Sequence, residues 1–321
     1  MRTRLLRYSL LFLLLLTLLA AAIGAGILGR HEGPGEITGA AIPADVIISR
    51  QSAQAGAQAH LGVEEPRDIL FGDFHTHTTL SMDAFMTSLP FAVGEGSHPQ
   101  ADACDFARYC SALDFWSIND HAEFLTPARW RETAQSIRDC NARAGDPQNP
   151  DVVAFLGWEW TNIGTNTQNH WGHKNIVLRD LDPQSIPARA IQASPTRATE
   201  LLETLNFAAR TAMALAFIGE QRVQDFARYA FEGSLQRPCP DDVHVRDLPP
   251  DCRESAATPA VLFRKLREWN QEALVIPHGN TWGIDTPPGA SWDKQLSLEQ
   301  HDPGVQTLFE VYSGHGNIEE Y

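Results

Sequence analysis

From residue 68 onward, short apolar runs alternate with amphipathic stretches, and the residues able to carry chemistry sit just past the ends of the apolar runs. The runs are DILFGDF (68–74), DFWSIN (114–119), DVVAFLGW (151–158), KNIVL (174–178), ALVIP (273–277) and VQTLFEVY (305–312). Between them, residues 101–113 and 259–270 read as helices, as does the stretch opened by an N-cap Thr126 and a first-turn Pro127, with Trp130, Ala134 and Ile137 on one face. A long helical segment is expected from about Thr196 to Phe231. Strands separated by helices imply an α/β fold with a parallel sheet or barrel, whose C-terminal strand ends converge on one rim.

His75 and His77 follow the first strand, Asp120 and His121 the second, Glu159 the third and His278 the run ALVIP, while Glu310 and His315 lie in or beyond the last. Singly, each is as easily structural. With twelve histidines, chance alone yields an HxH about 0.4 times. Together they form a candidate metal site, because burying so many imidazoles and acids without a cation leaves costly unpaired polar groups. Nitrogen and oxygen ligands without thiolate suit Zn, Mn or Fe. Asp73 and Asp120 are candidate acceptors for fixing ring tautomers, with a strand-end cap and a loop acid as the alternatives. His315, in a Gly-flanked turn, is a candidate for contacting substrate or protonating a leaving group.

Taken in order, GDFHTHTTLSMDAF, FWSINDHAEF, GWEWT, GHKNIVL, IPHGN and EVYSGHGN resemble the PHP (polymerase and histidinol phosphatase) superfamily, and within it the DUF3604 family, over about residues 66–321. The resemblance implies a distorted (β/α)7 PHP-type barrel holding two or three divalent metals, and hydrolysis of phosphate mono- or diesters by a metal-activated water. Carried over by position, His75 and His77 match the first metal's ligands, Glu159 the carboxylate bridging two metals, and His173 and His278 the second metal's ligands. Asp83 and His121 match the third metal's ligands, and His170 a support behind them. The family closes its site with an Asp-x-His on a late strand. None follows His278, which implies a chain truncated at Tyr321 and a barrel incomplete at its C-terminus, with Glu310 or His315 as substitutes at a spacing that does not match. Alternatives in this reading are a sulfate or phosphonate ester hydrolase and a non-catalytic metal-binding module. An amidohydrolase-type barrel also opens with HxH but expects a carbamylated lysine or its equivalent where Glu159 stands.

The rest of the chain bears on location. Arg2, Arg4 and Arg7 precede 22 uncharged residues, Tyr8–Gly29, a run that would reach about 33 Å as a helix. Residues 1–30 therefore read as a signal peptide cleaved near Ala20–Ala22 or as an uncleaved anchor, and either exports the remainder to the periplasm or cell exterior. Residues 31–65, rich in Gly, Ala, Gln and Pro, read as a linker, and 184–258 as a helical insertion shaping access to the rim. In an oxidising compartment Cys239–Cys252 would staple a Pro-rich loop, and Cys110–Cys140 is the second expected pair, with Cys104 left over or exchanged. The net charge of −15 argues against nucleic acid as a partner and leaves a small anionic ester drawn to a local metal centre. Membrane contact is expected only through the N-terminal segment, and the sequence fixes no oligomeric state.

Overall fold

The chain opens with α1 (Arg2–Gly24), whose stretch Arg4–Gly24 is apolar and long enough to cross a membrane. The computed structural model describes residues 2–89, 92, 96–193, 206–297 and 299–318. The expected linker contains a second helix, α2 (Ala44–His60), none of whose residues is buried. It has no apolar stripe for periodicity to reveal. Gln54 and Gln58 hold it instead, each amide side chain both donating to and accepting from a backbone group, at Ile69 and Arg67. The segment ahead of α2 is also tied down: Thr38 N–H donates to Asp105 and Ile42 N–H to Asp151.

The body follows as β1 (Gly72–Thr76), α3 (Met82–Thr87), α4 (Gln100–Tyr109), β2 (Phe115–Ile118), α5 (Pro127–Ala142), a two-residue pair β3 (Gly145–Asp146) and β4 (Asn149–Pro150), β5 (Val153–Phe155), β6 (Gly157–Asn162) and β7 (Gly172–Leu178). Then come β8 (Ile191–Ala193), α6 (Phe207–Ala216), α7 (Gln221–Ser234), β9 (Glu254–Ala256), α8 (Pro259–Trp269), β10 (Ala273–His278) and the short β11 (Trp282–Gly283), β12 (Tyr312–Ser313) and β13 (Gly316–Asn317). Thr126 and Thr258 cap α5 and α8 as threonines before proline should, their hydroxyls accepting from Arg129 and Val261 N–H.

β1, β2 and β5 are parallel, in the order β1-β2-β5. β6, β7 and β10 are antiparallel, in the order β10-β7-β6, against the expectation of a parallel arrangement throughout. Only residues 163–171 join β6 to β7, too few for the crossover a parallel return requires. The run DVVAFLGW, expected as one strand, divides between the two sheets at Leu156. Gly157 permits this passage, since a Cβ there would lie 2.3 Å from the Ile176 carbonyl oxygen and 2.9 Å from that of Ile118. Beyond it the sheets are stitched together where Glu159 N–H donates to Asp120 O and Ala122 N–H to Glu159 O.

Among the described residues the strands form several small sheets and no closed barrel. The run VQTLFEVY is strand only at Tyr312; before it, the chain runs beside β10 through Val275 N–H to Val305 O and Glu310 N–H to Pro277 O. Pro277 brings no N–H to that edge, so the ladder stays partial. The expected insertion is not purely helical, because β8 and β9 pair in parallel across it. Of the expected Thr196–Phe231 helix, residues 196–205 lie outside the described residues, and the remainder is two helices, α6 and α7.

The alternation of β6 positions the site. Trp158 and Trp160 point one way into the core, where their indole N–H groups donate to Ile191 O and Ala256 O, and so bind the β6–β7–β10 sheet to the β8–β9 pair. Glu159, between them, points to the opposite face.

Cys239–Cys252 is bridged as expected, but Cys140 pairs with Cys104 and not with Cys110. Ala101, Cys104, Ala107 and Arg108 form the buried face of α4, which places Cys104 against Cys140 on α5; Cys110, at the helix end, is exposed and free.

Candidate metal centre

Glu159 is fully buried, and histidines arrive around it from separate elements. Its Oε2 lies 3.3 Å from His75 Nε2 and 3.3 Å from His77 Nε2, both at the end of β1. Its Oε1 faces a different set: His173 Nδ1 at 2.5 Å, His278 Nε2 at 3.4 Å and His121 Nδ1 at 3.5 Å. His173 and His278 are cross-strand partners on β7 and β10, which fixes their spacing. One carboxylate therefore serves two groups of imidazoles, one through each oxygen.

Among the described residues, four groups of side chains could hold a metal ion, with the ligand atoms of each within 4.8 Å of one another: His75, His77, Glu159 and His315; Glu159, His173, His278 and His315; His75, His278 and Glu310; and His77, Asp83 and His121. All seven residues expected as ligands, His75, His77, Asp83, His121, Glu159, His173 and His278, fall in these groups. From the late part of the chain, Glu310 and His315 reach the cluster: Glu310 lies 2.8 Å from His75 Nδ1, and His315 Nε2 lies 3.6 Å from Asp83 and 4.0 Å from Glu159. The Asp-x-His triplets the chain does contain, Asp73–His75 on β1 and Asp242–His244 within the Cys239–Cys252 loop, are not on late strands.

The donor set fits a cation. His77 Nε2, His121 Nε2, both ring nitrogens of His278 and Glu159 Oε2 are buried and make no hydrogen bond. Lone pairs left this way in a protein interior are costly unless something positive occupies the space between them. The charges show the same demand. Burial alone would raise the Glu159 carboxyl, but the surrounding His121, His278 and His173 hold it well below the usual carboxylate range. Burial opposes a charge on His75 too, yet the neighbouring Glu159 and Glu310 carboxylates push it up to about 10. Burial brings His315 down to about 4, which favours the neutral ring that a metal ligand or a proton acceptor needs.

The supporting residues are partly others than expected. Asp73 accepts from the His75 backbone N–H and Asp120 from Thr78 N–H and Oγ1, so both shape the β1 turn and bond no ring nitrogen. His170 is buried, and its Nδ1 accepts from Gly164 N–H in the β6–β7 loop. Ring orientation falls to Ser81, 2.6 Å from His77 Nδ1, and to Thr161, whose Oγ1 meets His121 Nδ1 and donates to Glu159 Oε1 at 3.2 Å. Thr161 was findable, since two residues beyond Glu159 on a strand is the same face. Thr161→Val and Ser81→Ala should each weaken metal binding about 10–100-fold while leaving the fold intact, as read by competition with a chromogenic chelator; unchanged affinity in both would deny them this role.

Residues 64–142 match the DUF3604 family, described as a protein of unknown function. The match spans β1 to α5, less than half of the chain, and includes His75, His77, Asp83 and His121 but none of Glu159, His173 or His278. No curated protein and no solved structure matches the chain.

Proposed function

We propose that this chain is a PHP-type, metal-dependent hydrolase of phosphate mono- or diesters that works outside the cytoplasm on small anionic substrates. The observation that carries the reading is the division of labour at Glu159: a fully buried carboxylate with one oxygen toward His75 and His77 and the other toward His173, His278 and His121. Such an arrangement suits two ions sharing one carboxylate, with His77, Asp83 and His121 as a third position. Zn, Mn or Fe fits the nitrogen and oxygen donors. When bound, such ions supply the charge that makes water a nucleophile at neutral pH and offsets the charge on an ester's non-bridging oxygens.

The chain's own residues have distinct parts in this proposal. Glu159 holds the two imidazole groups in register, and its burial keeps bulk water from competing with them. Asp83, with its side chain 41% exposed, and Glu310, at 28%, mark the open side by which an ester would enter. His315, between Asp83 and Glu159, takes the position of a late-strand ligand and orients the substrate from the open side.

The test is turnover by the purified full chain after chelation and reloading with Zn, Mn or Fe(II). Aryl phosphate mono- and diesters, an aryl sulfate and an aryl phosphonate are the substrates. Hydrolysis of phosphate esters that disappears on stripping and returns on reloading is expected. Turnover of only the sulfate or phosphonate would reassign the substrate, and a folded, metal-loaded protein that turns over none of them would make this a metal-binding module.

A further inference from the structure

The helix α6 has an outer face with no polar group on it. Phe207, Ala208, Ala209, Ala212, Leu215 and Ala216 are exposed, and Ile218 just beyond is 63% exposed. Its single charged residue, Arg210, is buried and donates to Ala230 O. A helix on a water-facing surface ordinarily carries its charges outward, and an apolar face left outward marks contact with something other than water.

What covers it follows from where α1 ends. A 21-residue stretch, Arg4–Gly24, rises about 31 Å, which only just matches the apolar layer of a bilayer. A span of this length has no residues to spare, so its last turn lies at the outer boundary of that layer. That last turn is where α6 and α7 pack. Ile23 clusters with Ala214 of α6 and Ala227 of α7, and Gly24 sits so close to Thr211 that a Cβ would meet its hydroxyl at 2.0 Å. Next to it, Gly26 abuts the Arg228 backbone, and His31 Nδ1 lies 2.6 Å from Asp225. Elements fixed against the end of a span share its depth.

We propose that α6 is a second membrane contact, lying along the lipid interface beside an uncleaved α1, so that the body sits directly on the bilayer. The proposal takes α1 as a span and is independent of any hydrolase activity. It accounts for the small residues Ala20–Ala22, which are half-buried at this junction and so pack against the body instead of offering an open cleavage site.

The experiment uses the full chain in phosphatidylcholine–phosphatidylglycerol nanodiscs, with Cys110→Ser as background and an environment-sensitive fluorophore on Leu215→Cys, Ile218→Cys or, as a control on α2's exposed end, Leu61→Cys. Shallow spin-labelled lipid should quench about half or more of the emission at the two α6 positions and little at the control. The intact mass should retain residues 1–22. Equal, weak quenching at all three sites would overturn the proposal, as would a mature chain lacking residues 1–22. Cross-linking between copies through Ile218→Cys without quenching would give the face to a second copy and also overturn it.

Discussion

Glu159→Gln is expected to yield a folded protein with most of its bound metal gone and ester hydrolysis slower by at least about a thousandfold. The substitution keeps the volume of a wholly buried side chain on the face of β6 opposite Trp158 and Trp160, so the core is undisturbed. It removes the negative charge that both imidazole groups share. It also turns an amide N–H2 toward one of them, either His75 and His77 or His173 and His278, where a cation would stand. Elemental mass spectrometry on folded protein reads the first effect and the ester assay the second. Glu310→Gln provides the contrast, because Glu310 enters only one of the four ligand groups and is partly exposed, so partial metal loss is expected there. Native metal content in Glu159→Gln would remove this residue from the centre.

The second large effect concerns stability. Cys140→Ser should cost about 4 kcal/mol under non-reducing conditions, the chain-entropy value for a closed loop of this size, whereas Cys110→Ser should cost nothing measurable. The bridge to Cys104 spans 36 residues and joins α4 to α5. Those helices are also held by Arg108, which is buried, pairs with buried Asp151 at 2.8 Å and donates to Cys140 O, so the variant is weakened and not unfolded. Urea titration gives the difference. Alkylation without reduction should label Cys110 alone, and a Cys110–Cys140 peptide would refute the pairing.

The residues of the candidate metal centre were more legible than the fold that gathers them. The ends of β1, β2 and β10 could be located from an apolar run followed by His or an acid, because buried strands are nearly continuous in hydrophobicity. Strand direction could not be read that way. The antiparallel turn from β6 to β7 depends on a nine-residue connection, and the division at Leu156 depends on Gly157, neither of which alters the hydrophobic pattern. The disulfide pairing is hidden from the sequence for a similar reason. Cys104 and Cys110 are both compatible with Cys140 by spacing, and only the buried face of α4 separates them. Ser81 and Thr161 lack any charge or ring to draw notice, though their positions relative to His77 and Glu159 mark them once geometry is considered. α2 escaped for the opposite reason: it buries nothing.

The hydrogen bonds from Thr38 and Ile42 to Asp105 and Asp151, and those that clamp α2 to Ile69 and Arg67, turn residues 31–65 from a leash into a strut. A free Gly- and Gln-rich linker of that length would let its cargo wander over about 30 Å. A strut allows no such excursion, and it sets the height and tilt of the Glu159 cluster relative to α1. Lengthening it by inserted residues would not extend the protein's reach but would first have to break its footing on the body. On the proposed reading of α1 as a span and of the cluster as a hydrolytic centre, an ester has to come to a fixed altitude to meet it.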